Sequence, residues 1–171
     1  MLIQKNEKTV AFTGHRTYEG EAQQELAAVL RELYAEGYRT FLSGMARGFD
    51  LAAAEAVMQL REEFADVQLI AVVPFEGFRS HFRGEDLEIY DRVIGAADER
   101  ITVSEHRGGR GFFERNDFLA DNSSYVVAWW DGIPKGGTYY TVQRARRQHK
   151  PVKNLCPQLQ LEIFGEKNTA S

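Results

Sequence analysis

A chain of 171 residues with 43% hydrophobic content can build one well-buried domain and is short for two. Its 21 Lys and Arg are outnumbered by 25 Asp and Glu, and the resulting net charge of −4 lacks the basic excess that holds a protein to a phosphate backbone, so a nucleic-acid partner is not expected. One cysteine, Cys156, excludes a disulfide framework, no run approaches the roughly 18 apolar residues of a membrane helix, and charges stand where a secretory leader needs its apolar core. The reducing cytoplasm is therefore the expected setting.

Residues 9–13, Thr-Val-Ala-Phe-Thr, read as a first buried strand that feeds a polar turn, Gly14-His15-Arg16. Leu26, Val29, Leu30 and Leu33 then share one face of a helix over residues 21–36, which Gly37 stops.

Residues 40–51 pack a strand end, a glycine turn and a helix start into one unit. Ser43 and Gly44 leave the sheet, Gly48 permits a backbone angle that a side chain forbids, and Asp50 is placed to cap the helix that Leu51, Ala54, Met58 and Arg61 continue. Strand, glycine turn and helix together make an anion site, to which Arg47 could add a forked contact to phosphate or carboxylate.

The apolar run 68–73, closed by Pro74, predicts a central strand covered on both faces. Residues 75–85, rich in aromatics and arginines, read as a lid or binding loop in which Phe75, Phe78 and Phe82 either cover the sheet end or offer a ring for a base to stack on. A helix over 86–97 and a strand over 101–103 follow, then a mobile polar loop, 104–111, containing Glu105. A helix over 112–122 carries Arg115 and Asn116. Residues 125–130 form a fifth strand running into Asp131 and a second glycine turn, Lys135-Gly136-Gly137-Thr138, ahead of a helix over 139–148. Residues 151–155 give a last strand, 158–164 are a candidate for one more, and 165–171 read as a flexible tail.

This alternation predicts a single α/β domain, a Rossmann-like, doubly wound and mostly parallel sheet of five to seven strands flanked by helices, with its core over residues 9–155. Ligands of such sheets bind beyond the carboxyl ends of the strands where strand order reverses, and His15, Arg47, Phe75, Glu105, Asp131 and Gly136-Gly137 all follow strand ends. No Cys-x-x-Cys or Cys/His spacing suggests zinc, and no second ligand stands at ligand spacing from His15, so no metal is expected.

Six short stretches, Thr13-Gly14-His15-Arg16, residues 43–50, Pro74-Phe75-Glu76-Gly77, Ser104-Glu105-His106, Arg115-Asn116 and Pro134 to Thr138, occur in the order found in the YpsA/YoqJ family of the SLOG superfamily. The chain resembles that family, whose superfamily also holds the DNA-processing protein DprA and the LOG phosphoribohydrolases. The resemblance implies a nucleotide or ADP-ribose-like ligand and no required cofactor. Its phosphates would lie over Gly44 to Gly48 and Gly136 to Thr138, its base near 75–82, and the module would sense rather than turn over. Site residues carried by the matched stretches are Gly14, His15, Arg16, Ser43, Gly44, Arg47, Gly48, Asp50, Pro74, Phe75, Arg115, Asn116, Lys135, Gly136, Gly137 and Thr138. An alternative is a LOG-like hydrolase that releases a base from a nucleoside monophosphate, with Arg115 and either Glu105 or Asp131 as catalytic groups; against it, the acidic residues of the LOG glycine motif fall here on Tyr140 and Thr141. A second alternative is DprA-like binding of single-stranded DNA, where DprA has a basic residue after its Arg-Asn pair and this chain has Asp117. Homo-oligomerisation is left open.

Overall fold

The computed structural model describes residues 8–157. Six strands, β1 (Thr9–Gly14), β2 (Thr40–Ser43), β3 (Gln68–Phe75), β4 (Glu99–Ser104), β5 (Tyr125–Trp129) and β6 (Val152–Asn154), alternate with five helices. The helices are α1 (Gln23–Ala35), α2 (Phe49–Glu63), α3 (Gly84–Ala96), α4 (Gly109–Asp121) and α5 (Gly136–Arg147). All strand pairs are parallel and lie in the order β4-β3-β2-β1-β5-β6. The chain steps outward from β1 to β4, then returns to the other side of β1 for β5 and β6. Strand order therefore reverses between β1 and β5, where an open parallel sheet leaves a crevice.

The expected α/β sheet is present, with six strands among the described residues; the candidate strand at 158–164 and the tail at 165–171 lie outside them. No helix among the described residues is long and apolar enough to cross a membrane. On one face of the sheet, α1, α2 and α3 bury a large core around Phe12, Phe41 and Phe49; on the other, α4 covers Ala11, Leu42, Ile70 and Val72.

Three expectations change. Strand β3 is next to the edge rather than central, and helices on both faces, not a middle position, keep Leu69 to Phe75 buried. Pro74 lies inside this strand, beyond the register of β2, which ends opposite Ala71, so the absent amide breaks no bond on that side. Residues 75–85 are not an open lid: they turn through a 3-10 segment, Phe78–His81, into α3. Phe75, Phe78 and Phe82 are 3%, 5% and 6% exposed, with their rings against one another and Phe82 stacked 4.5 Å from Tyr90, so they form core and offer no platform to a base. Helix α4 begins inside the stretch expected to be a loop, because Gly111 packs so tightly on the His106 carbonyl that a Cβ would lie 2.1 Å from its oxygen.

Gly48 precedes α2 with φ 82° and ψ −121°, and a Cβ there would sit 2.6 Å from the Arg16 carbonyl oxygen. Both the backbone angle and the contact exclude a side chain. Gly48→Ala is expected to destabilise the fold by about 2–4 kcal/mol, read as a shifted urea midpoint with unchanged slope.

Candidate functional site

Gly14 at the end of β1 pairs with Trp129 at the end of β5, and beyond that pair the two chains diverge. The opening is a cavity of about 670 Å³. Its walls are His15, Arg16 and Thr17 after β1, Asp131, Ile133 and Lys135 after β5, Gly109, Phe112, Phe113, Arg115 and Asn116 of α4, and the first turn of α5. Gly14 must be glycine here, since a Cβ would meet Phe49 at 2.5 Å.

The two diverging turns are tied together. The Asp131 amide donates to His15 Nε2 at 3.1 Å, and the Ile133 amide donates to Asp131 Oδ1 at 3.0 Å. A lone pair of His15 Nε2 is thus already engaged, and no cluster of three His, Cys, Asp or Glu among the described residues could hold a metal ion.

Gly136, Gly137 and Thr138 are the first turn of α5 rather than a loop before it. Lys135 is the N-cap, in extended conformation, and no side chain caps the helix. The amides of that first turn, at the positive end of the helix dipole, therefore border the cavity with no acceptor among the described residues. The neighbouring Asn116 carboxamide nitrogen lies 3.2 Å from where a Cβ on Gly137 would be.

Arg115 supplies the charge. It is 6% exposed, its Nε donates to Asn116 Oδ1 at 2.8 Å and its Nη1 to the Gly44 carbonyl at 2.5 Å. Nη2 has no acceptor among the described residues, and no carboxylate there comes within ion-pair distance. Behind it lies Asp50, 5% exposed, whose Oδ2 accepts the Ala46 amide at 3.3 Å while Oδ1 has no partner of ordinary geometry. Burial pushes the Asp50 carboxyl up to about 6, against the pull of Arg115, the Ala46 amide, Arg16 and the nearby Gly14 amide. Burial also lowers the Arg115 guanidinium, with Asp50 resisting.

The first glycine turn is accordingly not an open anion cradle. Gly44 is buried, and the space a Cβ would need is filled by Arg115 Cδ and Asp50 Oδ2, each at 2.9 Å. The Phe49 amide donates to the His15 carbonyl, the Met45 amide to Ser43 Oγ and the Ala46 amide to Asp50. Asp50 is not the α2 cap, because Gly48 holds that position and Asp50 sits in the first helical turn. Ser43, fully buried, donates its hydroxyl to the Asp50 carbonyl at 2.9 Å and braces the turn.

Of the residues singled out in the sequence, Gly14, His15, Arg16, Asp50, Arg115, Asn116, Asp131, Lys135, Gly136, Gly137 and Thr138 meet in this cavity. Arg47 and Gly48 line a different cleft of about 1330 Å³ between α1, α2 and the start of α3, reached past Arg16 and Thr17. Pro74 and Phe75 are buried away from the cavity wall, and Glu105 is exposed and outside it. Sequence reasoning missed Phe112, Phe113 and Ile133. Phe113 and Ile133, 50% and 43% exposed, are the large apolar residues left exposed among the described ones, and both stand in this wall. The signal was present: two consecutive phenylalanines open α4, and only one of two neighbours can face a helix's core side.

A family model described as the YspA SLOG family, YpsA, matches residues 10–162. The chain belongs to this family. Among curated YpsA-like relatives, a UPF0398 protein of Bacillus velezensis is 26% identical over 156 residues, covering 84% of this chain and 86% of its own. The SLOG fold is also that of DNA processing protein A (DprA) from Streptococcus pneumoniae, with a TM-score of 0.63 and 21% identity over 88% of this chain. The chain spans 50% of that protein's length. DNA processing protein A from Helicobacter pylori superposes with a TM-score of 0.62 and 20% identity, over 93% of this chain and 72% of its own.

Asp50 holds its proton more tightly when folded, at about 6 against an ordinary 3.8, so the native state carries the extra proton between those values. Stability therefore falls as pH rises from 3.8 to about 6 and stays lower above it, by about 2–3 kcal/mol. Asp50→Asn, which cannot ionise, is expected to melt several degrees above the parent at pH 7.5 and to show no such advantage at pH 4, by calorimetry.

Proposed function

We propose that this cavity binds a nucleotide or nucleotide-derived, ADP-ribose-like ligand in the cytosol, and that the domain senses that ligand rather than consuming it. The observation carrying this reading is Arg115, a guanidinium nine-tenths buried with an unused Nη2 in a cavity wall and, among the described residues, no carboxylate within ion-pair distance, Asp50 acting on it only from behind. A buried charge without an ion-pair partner calls for an anion. Around it stand donors, the Asn116 carboxamide, the amides of Gly136, Gly137 and Thr138, and Lys135, which suits phosphate oxygens.

A volume of about 670 Å³ is that of a small-molecule pocket. The ring of the ligand would rest against Phe112, Phe113 and Ile133, in place of the buried Phe75 to Phe82 cluster, and stacking on a phenylalanine contributes about 1–3 kcal/mol.

Release of a base would require a carboxylate free to activate water and steady an oxocarbenium-like sugar. Glu105 lies outside the wall, Asp50 faces Gly44 and Ala46 behind Arg115, and Asp131 is engaged by the Ile133 amide. This favours binding over hydrolysis.

Single-stranded DNA is a second reading. The Helicobacter pylori neighbour binds it, so net charge alone does not dispose of nucleic acid, although an acidic chain with Asp117 beside Asn116 supplies little of the usual attraction.

Adenosine, guanosine, cytidine and uridine monophosphates, tested by calorimetry and by chromatography of the mixtures, separate the readings. Binding without free base is expected. Arg115→Ala should weaken it at least tenfold, consistent with loss of about 1.5–3 kcal/mol from charged hydrogen bonds, and Gly137→Ala should weaken it by crowding the cradle. Arg47→Ala, in the other cleft, should leave it unchanged. Equal affinity in the parent and Arg115→Ala would remove the site, liberated base would replace the sensor with the hydrolase, and tighter, salt-sensitive binding of oligonucleotides would favour the second reading.

A further inference from the structure

Asp50 lines the cavity yet is turned away from it in chemical terms. Its Oδ2 is held by the Ala46 amide, and its Oδ1 is buried without a partner, so neither oxygen is presented to a ligand. The full charges acting on it are two, Arg115 from α4 and Arg16 from the turn after β1, and both are also cavity-wall residues. What keeps the buried carboxylate ionised is therefore the same pair of guanidiniums that an incoming anion would engage. Its remaining support comes from the Ala46 and Gly14 amides.

We propose that Asp50 is a positioning residue that never touches the ligand: it steadies Arg115 from behind in the empty site and takes up a proton when an anion claims that guanidinium from the cavity. The inference rests on the anion site described above and assigns it a regulation. Two guanidiniums around one aromatic ring, 5.8 Å and 5.6 Å from the Phe112 centroid, repel each other, and the Asp50 carboxylate relieves that repulsion while the cavity holds no anion. Once an anion supplies the compensating charge, the carboxylate is a surplus negative charge in a buried place. Protonation removes it. The proton comes from solvent and stays on the Asp50 carboxyl until the anion leaves, so ligand affinity must rise as pH falls.

In the empty protein Asp50 is half protonated near 6, and the bound anion shifts that midpoint upward. Affinity is then greatest well below about 6 and declines as pH rises through the empty-state and then the bound-state midpoint. A shift of about one unit would make binding roughly fivefold weaker at pH 8.0 than at pH 6.0.

Sulfate is a suitable probe because its charge does not change across this range. Titrating it into the protein at pH 6.0 and 8.0, with the Gly137 amide followed by NMR, should show the fivefold difference. Asp50→Asn keeps the shape, removes the charge and should bind sulfate equally at both values, about twofold more tightly than the parent does at pH 6.0. Histidine also changes charge near neutrality, and His15 lines the same cavity, so His15→Gln is the control and should retain the pH dependence.

A flat profile in the parent, or an undiminished slope in Asp50→Asn, would overturn the proposal. So would Asp50→Asn losing affinity for adenosine monophosphate while keeping it for sulfate, since that pattern marks a direct contact with the sugar. Should Asp50→Asn fail to fold, the carboxyl carbon of Asp50 in the parent, titrated with and without saturating sulfate, gives the same answer: its midpoint rises, or the proposal fails. Absence of sulfate and nucleotide binding at every pH would instead remove the anion site itself.

Discussion

A guanidinium buried beside a cavity is the constraint around which this end of the molecule is arranged. Removing Arg115 from water costs several kcal/mol unless its N–H groups find oxygens. Two are supplied from different parts of the chain, the carbonyl of Gly44 at the end of β2 and the side chain of Asn116, its own neighbour on α4. The first bond ties the helix on one face of the sheet to the turn that starts the helix on the other. It also explains the local sequence. Gly44 is glycine because Arg115 and Asp50 occupy its side-chain space, Gly48 because the Arg16 carbonyl occupies the other, and Ser43 braces the turn from beneath. Residues 43–50 thus form a socket for an arginine.

Two strand-to-helix glycine turns meet at this end of the sheet, and they have opposite fates. At α2, the first amides are taken by the His15 carbonyl and by groups of the same turn. At α5, the N-cap is Lys135, whose side chain can accept nothing, and no side chain among the described residues caps the first turn. One helix terminus is closed by protein oxygens and the other is open to a foreign one. The cavity lining is mixed as a result, with donors from α5 and from Arg115 and Asn116 of α4 and apolar side chains from Phe112, Phe113 and Ile133.

The architecture was legible because it depends on local pattern. Short apolar strands with helices between them dictate a parallel sheet, and the helix face Leu26, Val29, Leu30, Leu33 is buried as its spacing requires. The position of β3 was not legible, since burial on both faces describes any strand under two helical layers and says nothing of its distance from the edge. The two glycine turns were equally invisible in their difference: both read as glycine before helix, and what separates them is a carbonyl from His15 and a side chain from Arg115, distant in sequence. Residues 75–82 failed for the same reason. Aromatic rings at a strand end suit a binding platform or a core, and only contacts with Tyr90 and one another assign them to the core.

The placement of Asp50 has a physical logic that is neither capping nor ligand contact. A carboxylate with one oxygen unsatisfied makes the folded state less stable at neutral pH than it would be with a neutral group there. Its attraction for Arg115 works in the other direction, lessening the repulsion between that guanidinium and Arg16 across the Phe112 ring. A site lined by two unpaired cations tends to open or to rearrange its side chains when empty. A site with one carboxylate set behind the cations keeps them aimed at the cavity while it is empty, and that carboxylate becomes a surplus negative charge once an anion arrives. Local instability at Asp50 and preorganisation of Arg115 are on this account one electrostatic fact seen from its two partners, and the stability lost at the carboxylate is the counterpart of the order kept at the guanidinium.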